Sequence, residues 1–340
     1  MARPSLRERL TRAIGAEYDI DAEIGAGMSR VFAATERGLN RRVVIKVLPP
    51  ELASEISHER FMREIRLVAT LQHPHIVPLL VAGEADGLPF FTMPFVEGET
   101  LRQRLQRGPL EIRESFQIFR DVLKALSWAH AHGVVHRDVK PENVMLSGGV
   151  AVVTDFGVAK ALQAAQHPHL ASGRMSMGVS VGTPQYMAPE QAAADPSADH
   201  RADLYALGVL AYEVLAGAHP FEGRKGMALM TAHASEVPPP LKPRVPHVPS
   251  AICNVVMTSL EKRPEDRPPS AEAVLAVLEG LSTPRMSTAI SMEMPSRTAE
   301  RAAMRLTREY IRLPRRLTIV TLVIAGMLAL VGGLAWLLLR

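Results

Sequence analysis

The stretch that most limits what this chain can become is His136-Arg137-Asp138-Val139-Lys140-Pro141-Glu142-Asn143, followed twelve residues after Asn143 by Asp155-Phe156-Gly157. One short loop holds a carboxylate, an ammonium and a carboxamide, and a second carboxylate follows the apolar strand candidate Val150 to Val153. These groups suit phosphoryl transfer. Asp138 would orient an attacking hydroxyl, Asn143 and Asp155 would hold Mg²⁺ (or Mn²⁺), and Lys140 would sit against the phosphate as charge moves in the transition state. The fold must bring the loop and the strand end to one place.

Transfer from ATP also needs a backbone that can approach phosphates and a cation to meet them. Ile24-Gly25-Ala26-Gly27-Met28-Ser29-Arg30-Val31 is a glycine-rich turn between two strand candidates, where the missing Cβ atoms let amide N–H groups close over phosphate. Val43-Val44-Ile45-Lys46 is a β-branched run ending in a lysine, and Glu64 follows on a helix candidate, Phe61-Met62-Arg63-Glu64-Ile65. A Lys46–Glu64 pair would hold the ammonium toward the α- and β-phosphates; the alternative is an ordinary surface salt bridge.

Strand-like segments (Val31 to Ala34, Arg42 to Leu48, Leu88 to Phe95) dominate the first hundred residues, around one helical stretch from Ser57 to Leu71. After Thr100 the apolar spacing turns helical, most clearly from Ser115 to His130 and from Asp203 to Leu215. The expectation is an α+β fold: a small sheet-rich lobe, then a larger helical lobe, with a cleft between them. A length of 340 residues with 47% hydrophobic composition supplies the core. The single Cys253 excludes a disulfide framework and a Cys-rich zinc site, and reads as a small buried hydrophobe.

The net charge of +4 divides unevenly. Nine Arg against three Glu from 284 onward give the tail +6, which leaves 1–283 at about −2. The main domain therefore carries no nucleic-acid footprint. The opening residues have no uninterrupted apolar core and so no secretory signal. Leu317 to Leu339 is 23 residues without a charge; at 1.5 Å per residue it is long enough to cross a hydrocarbon core of roughly 30 Å. Arg312, Arg315 and Arg316 stop at its start, so the expectation is a single span in the cell membrane, with residues 1–316 cytoplasmic and the C-terminus at the outer face. Residues 281–316 read as a flexible basic linker, either a solvated tether or, over Arg297 to Arg316, a helix lying on anionic lipid. Ala325, Ala329 and Gly333 share one face of the span, which suits a homodimer.

Taken together, residues of about 18–280 resemble the eukaryotic-like protein kinase superfamily, and Met187-Ala188-Pro189-Glu190-Gln191 with a C-terminal span is similar to bacterial transmembrane Ser/Thr kinases. The resemblance implies a two-lobe fold, with a five-stranded small lobe to about residue 96 and a helical large lobe from about 97 to 280. It implies transfer of the γ-phosphate of ATP to Ser or Thr hydroxyls of proteins, including the kinase itself. Gly182-Thr183-Pro184-Gln185-Tyr186-Met187-Ala188-Pro189-Glu190 looks like the end of an activation segment. Asp203 looks like the support of the catalytic loop, and Arg267 resembles the partner of Glu190. Met93 would be the gatekeeper, and the backbone of Pro94, Phe95 and Val96 would meet adenine. Lys140 and Thr183 are similar to the Ser/Thr-specific pattern. Arg137 before Asp138 implies control by activation-loop phosphorylation, because a guanidinium there can pair with phosphate.

Two departures stand out. Val31 lies six positions after Gly25 where the family usually has seven, and Arg30 replaces a small residue. A shortened loop implies weaker ATP binding or, as the alternative, an inactive membrane-bound interaction module. A small-molecule phosphotransferase is disfavoured by the Gly182 to Glu190 platform. In the activation segment, Met175 and Met177 stand where the family often has Thr, which leaves Ser172, Ser176 and Ser180 as the candidate phosphorylation sites.

Overall fold

The computed structural model describes residues 4–26, 29–53, 57–158 and 184–282. The expected membrane span, and all but the first two residues of the linker, lie outside them. Among the described residues no helix is long and apolar enough to cross a membrane.

The small lobe is built on five antiparallel strands, β1 (Tyr18–Ala26), β2 (Arg30–Glu36), β3 (Arg41–Val47), β4 (Val81–Ala85) and β5 (Leu88–Pro94), in the order β1-β2-β3-β5-β4. Strand alternation decides what each face carries. In β3, Val43, Ile45 and Val47 are fully buried in the cluster that also holds Phe32, Phe90 and Leu10. Val44 packs instead in the cluster of Phe61, Ile65, Phe91 and Met93. Lys46, on the same side as Val44, thereby faces the cleft.

A helix that the sequence reading did not anticipate, α1 (Leu6–Ile14), supplies Leu10 and Ile14 to the first of these clusters. Ser5 and Glu8 close a capping box at its start: the Glu8 amide donates to Ser5 Oγ at 3.3 Å, and the Ser5 amide donates to Glu8 Oε2 at 2.8 Å. Arg9 ties the helix to the β4–β5 turn by donating to the Asp86 carbonyl at 2.9 Å. The second cluster is covered by α3 (His58–Val68), whose buried Phe61, Ile65 and Val68 recur at helical spacing. A one-turn helix, α2 (Pro50–Ala53), precedes it.

The large lobe begins with a two-residue strand, β6 (Glu99–Thr100), and a short helix, α4 (Leu101–Gln106). Its core is the long helix α5 (Ile112–Ala131) packed with α7 (Arg201–Ala216), α10 (Ser250–Ser259) and α11 (Ala271–Ser282). Between these run the one-turn α6 (Pro189–Ala192), α8 (Gly226–Ser235) and the one-turn α9 (Leu241–Arg244). Helix α7 is buried almost all round and stops at Gly217, which takes the left-handed φ of +71° that favours glycine. Cys253 is buried in this core. The hairpin β7 (Val144–Ser147) and β8 (Val150–Val153) pairs with β6 and sets the catalytic loop against the cleft.

Besides the chain passing through 95–98, a second tie joins the lobes. The Val77 amide donates to the Val153 carbonyl at 2.9 Å, and the Val153 amide to the His75 carbonyl at 2.8 Å. This short parallel bridge fixes the base of the small lobe to the end of β8, one residue before Thr154 and two before Asp155.

Candidate active site

A cleft of about 770 Å³ opens between the lobes, within the size range of small-molecule sites. Its roof is the β1–β2 hairpin, where Gly25 pairs with Val31 and Ala26 with Arg30. The pairing reaches Ala26 and Arg30 although the sequence is one residue short there, with register irregularities between Ile20 and Glu23 and between Glu23 and Gly25. Gly27 and Met28 lie outside the described residues; Ile24, Gly25, Ser29 and Val31 line the cleft. Arg30 turns across the sheet to Glu23 in a two-pronged pair, its Nη2 reaching Oε2 at 2.5 Å.

At the rear, Met93 is buried, and its sulfur accepts from the Thr154 hydroxyl at 3.4 Å. Pro94, Phe95 and Val96, with Val44, also line this cleft. Val77, Met145 and Val158 supply apolar surface opposite, and the sequence reading missed all three. Nothing in their spacing marks them, since each is one apolar residue in a stretch whose facing is set by tertiary packing.

The catalytic loop is held from below. The Asp203 carboxylate, fully buried on α7, accepts from the amides of His136 at 2.8 Å and Arg137 at 2.7 Å, and His130 Nε2 meets it at 2.8 Å. Burial alone would raise its pKa, but hydrogen bonding to His130 and the nearby His136 hold it below the usual carboxylate range. Arg137 adopts a φ of +67°, strained for a residue with a Cβ, and the Asp203 bonds stabilise that turn. The buried His136 ring reaches the Thr154 carbonyl at 2.8 Å and packs on Phe156.

The loop delivers its groups to one point. Lys140 donates to Asp138 Oδ2 at 2.6 Å; Asn143 donates from its amide nitrogen to the same oxygen at 3.0 Å and to the Asp138 carbonyl at 2.8 Å. With its nitrogen spent on Asp138, Asn143 keeps its oxygen for a cation. Asp155 stands across the cleft at φ +68°, and Gly157 after it at +64°.

One expected pair is replaced. Lys46 donates to Asp155 Oδ1 at 2.6 Å and Oδ2 at 2.5 Å, and among the described residues it forms no ion pair with Glu64. Glu64 lies 3.7 Å from the Arg63 guanidinium. Asp155 is the carboxylate that the structure places against the Lys46 ammonium. Burial pushes its pKa up, yet the Lys46 charge outweighs this and holds it below its ordinary value, so it stays an anion.

The metal expectation can be tested on this donor set. Among the described residues no cluster of three or more His, Cys, Asp or Glu could hold a metal ion alone. One carboxylate (Asp155) and one carboxamide oxygen (Asn143) suit Mg²⁺, which takes few protein ligands and completes its shell with water and substrate phosphates.

Below the cleft, Arg267 donates to both Glu190 oxygens, at 2.6 and 2.8 Å, and to the carbonyls of Glu261, Lys262 and Arg201. The expected partnership of Glu190 and Arg267 is therefore present and buried. Ser172, Ser176, Ser180 and Thr183, named from the sequence as activation-segment residues, lie outside the described residues.

The fold and this site define a protein kinase domain, and the family model described as protein kinase domain matches residues 18–277. The chain belongs to the protein kinase family. The serine/threonine-protein kinase pkn3 of Myxococcus xanthus is 39% identical over 297 residues, covering 84% of this chain and 53% of that protein. The serine/threonine-protein kinase PknB of Mycobacterium tuberculosis is 37% identical over 269 residues, covering 77% and 42%. This chain thus spans about half the length of the curated relatives it matches. The crystal structure of the Mycobacterium tuberculosis PknI kinase domain matches it with a TM-score of 0.60 at 29% identity, covering 78% of this chain and 96% of that one.

Proposed function

We propose that this chain is an ATP-dependent Ser/Thr protein kinase, anchored by Leu317 to Leu339 in the cell membrane with its catalytic lobes on the cytoplasmic side. The observation that carries the activity is the convergence of Lys140 and Asn143 on the Asp138 carboxylate, across the cleft from Lys46 and Asp155. Asp138 accepts the proton of the Ser or Thr hydroxyl as its oxygen bonds to the γ-phosphorus and the bond to the β-phosphate oxygen breaks. Lys140 moves from Asp138 to the transferring phosphoryl group. Lys46 leaves Asp155 for the α- and β-phosphates, and Glu64 then becomes its carboxylate partner. Bound Mg²⁺ would neutralise phosphate charge between Asp155 and Asn143. The backbone of Pro94 to Val96 meets adenine.

The membrane anchor is supported by the length of the uncharged segment and the arginines before it. Autophosphorylation on Ser172, Ser176 or Ser180, and pairing of spans through Ala325, Ala329 and Gly333, belong to the same reading. The glycine-rich loop, one residue short between Gly25 and Val31, favours a second reading, an inactive module that keeps the fold. The deciding experiment is labelled γ-phosphate transfer by the full chain to a basic protein substrate with Mg²⁺, beside Asp138→Asn. Labelled Ser or Thr that the variant loses supports the kinase; no labelling by the folded parent chain supports the inactive module.

A further inference from the structure

Arg102 stands on α4, which is fixed at its start by a capping box: the Gln103 amide donates to Thr100 Oγ1 at 3.1 Å, and the Thr100 amide to Gln103 Oε1 at 2.8 Å. From this platform its guanidinium joins three parts of the large lobe. Nε donates to Glu142 of the catalytic loop at 2.8 Å, Nη1 to Glu213 on α7 at 2.8 Å, and Nη2 to the Tyr186 hydroxyl at 2.5 Å. The Tyr186 hydroxyl donates in turn to Glu213. Tyr186 ends the 3₁₀ turn Pro184–Tyr186, and the neighbouring Gln185 carbonyl accepts from His219 at 2.7 Å. Glu142 immediately precedes Asn143.

The charges keep the network closed. Burial pushes the Tyr186 hydroxyl well above its ordinary range, and Glu213 adds to this, so it remains a neutral donor. Burial works against the Arg102 charge, but hydrogen bonding to Glu213, with Tyr186 and Glu142 beside it, holds the guanidinium above its usual value. Tyr186, Gln185 and Glu142 line the cleft that also holds Asp138.

We propose that Arg102 is a positioning residue for the protein substrate: a clasp that holds the Pro184–Tyr186 turn in register with the loop carrying Asp138. The proposal rests on the protein-kinase reading above and adds to it a residue that touches neither ATP nor the reacting atoms. A hydroxyl-bearing segment has to lie between that turn and Asp138, and the clasp sets the distance between them. Three charge-assisted or short hydrogen bonds from one side chain make this a rigid link.

The test is steady-state kinetics of the full chain, varying ATP and a protein substrate separately, for Arg102→Met, which keeps the apolar stem, and Arg102→Lys, whose single ammonium cannot span three acceptors. Loss of the clasp is expected to lower kcat/KM for the protein substrate by roughly tenfold to a hundredfold, the size of one or two lost charge-assisted hydrogen bonds. The KM for ATP should stay within about twofold, and Arg102→Lys should recover only part of the loss. Glu142→Gln, at a half-exposed position, should move the same parameter less and keeps the test open if Arg102→Met folds poorly. Unchanged protein-substrate kinetics, or an equal loss toward ATP, overturns the proposal. Failure of the kinase reading looks different, with no transfer by the parent chain. Hydrogen exchange across residues 184–188 then decides the clasp: faster exchange in Arg102→Met supports it, and unaltered exchange removes it.

Discussion

Two ion pairs of this molecule look alike on paper and differ in purpose. Arg267–Glu190 lies buried within the large lobe, and Lys46–Asp155 lies in the cleft, each a cation on a carboxylate shielded from solvent. Arg267 spends all five of its N–H donors, two on Glu190 and three on backbone carbonyls, and its charge lies over the Tyr205 ring. Among the described residues Lys46 has one carboxylate partner, and both groups line the cleft of about 770 Å³. A pair with every donor used cannot be exchanged; a pair made by proximity can. The first stabilises the fold; the second, on the proposed function, leaves a cation and a carboxylate free to meet the substrate and its metal.

Breaking each pair should therefore produce opposite phenotypes. Arg267→Met leaves the Glu190 carboxylate buried without its cation, which costs about 3–5 kcal/mol of unfolding free energy in urea denaturation. Lys46→Met should cost no more than about 1–2 kcal/mol, because Asp155 retains access to water and cations from the cleft. The same variant should lose roughly a hundredfold or more in phosphoryl transfer. If Lys46→Met destabilised the fold as much as Arg267→Met, the distinction between the two pairs would be wrong.

Two glycines sharpen the contrast between a fixed and a movable part. A Cβ on Gly208 would come within 2.8 Å of Ser259 Cβ, where α7 packs on α10. Gly208→Ala should therefore cost about 1–3 kcal/mol of stability, the usual penalty for overpacking. A Cβ on Gly157 would meet Val68 Cγ2 at 2.5 Å, near the end of α3, and at a φ of +64° it is strained besides. Val68 yields by shifting α3, the helix that carries Glu64. Gly157→Ala should therefore lose more in ATP-dependent transfer than its stability change alone explains, and a loss proportionate to stability would count against that path.

How much of this was legible depends on what each residue answers to. Strands expected at Arg42 to Leu48 and Leu88 to Phe95 lie at Arg41–Val47 and Leu88–Pro94, because β-branched and aromatic runs report their own burial. Helices expected at Ser115 to His130 and Asp203 to Leu215 likewise fall inside α5 and α7. Helix α1 escaped because only Leu10 and Ile14 are buried along it, between arginines. Its one local signal was the Ser5 and Glu8 capping box. The partner of Lys46 was not legible at all, since the choice between Glu64 and Asp155 depends on where α3 sits and on what fills the cleft. Arg102 escaped for a related reason: one arginine in a short helix says nothing about the three distant elements it reaches.

The smallest effect concerns a buried histidine. His233, on α8, is 1% exposed, with Nδ1 at 2.9 Å from the Tyr205 hydroxyl, and burial, with His219 and Lys262 nearby, lowers its pKa from 6.5 to about 3. Below about pH 6.5 the unfolded chain binds a proton there that the folded chain refuses. Stability is thus fully present above that pH and is lost as pH falls toward the folded value, at up to ~1.4 kcal/mol per pH unit for one proton. Asp155 and Asp203, held below the ordinary carboxylate range, add losses of the same sign only near and below about pH 4. The window from pH 6.5 to 5 therefore isolates the histidines, of which His219 and His73 are also lowered by burial. His233→Gln, which cannot take up a proton in either state, should flatten the urea-unfolding free energy across that window by up to one proton's slope. An unchanged slope would mean that His233 takes up its proton in the folded chain as well, and that this part of the large lobe opens more readily than the Arg267 site beside it.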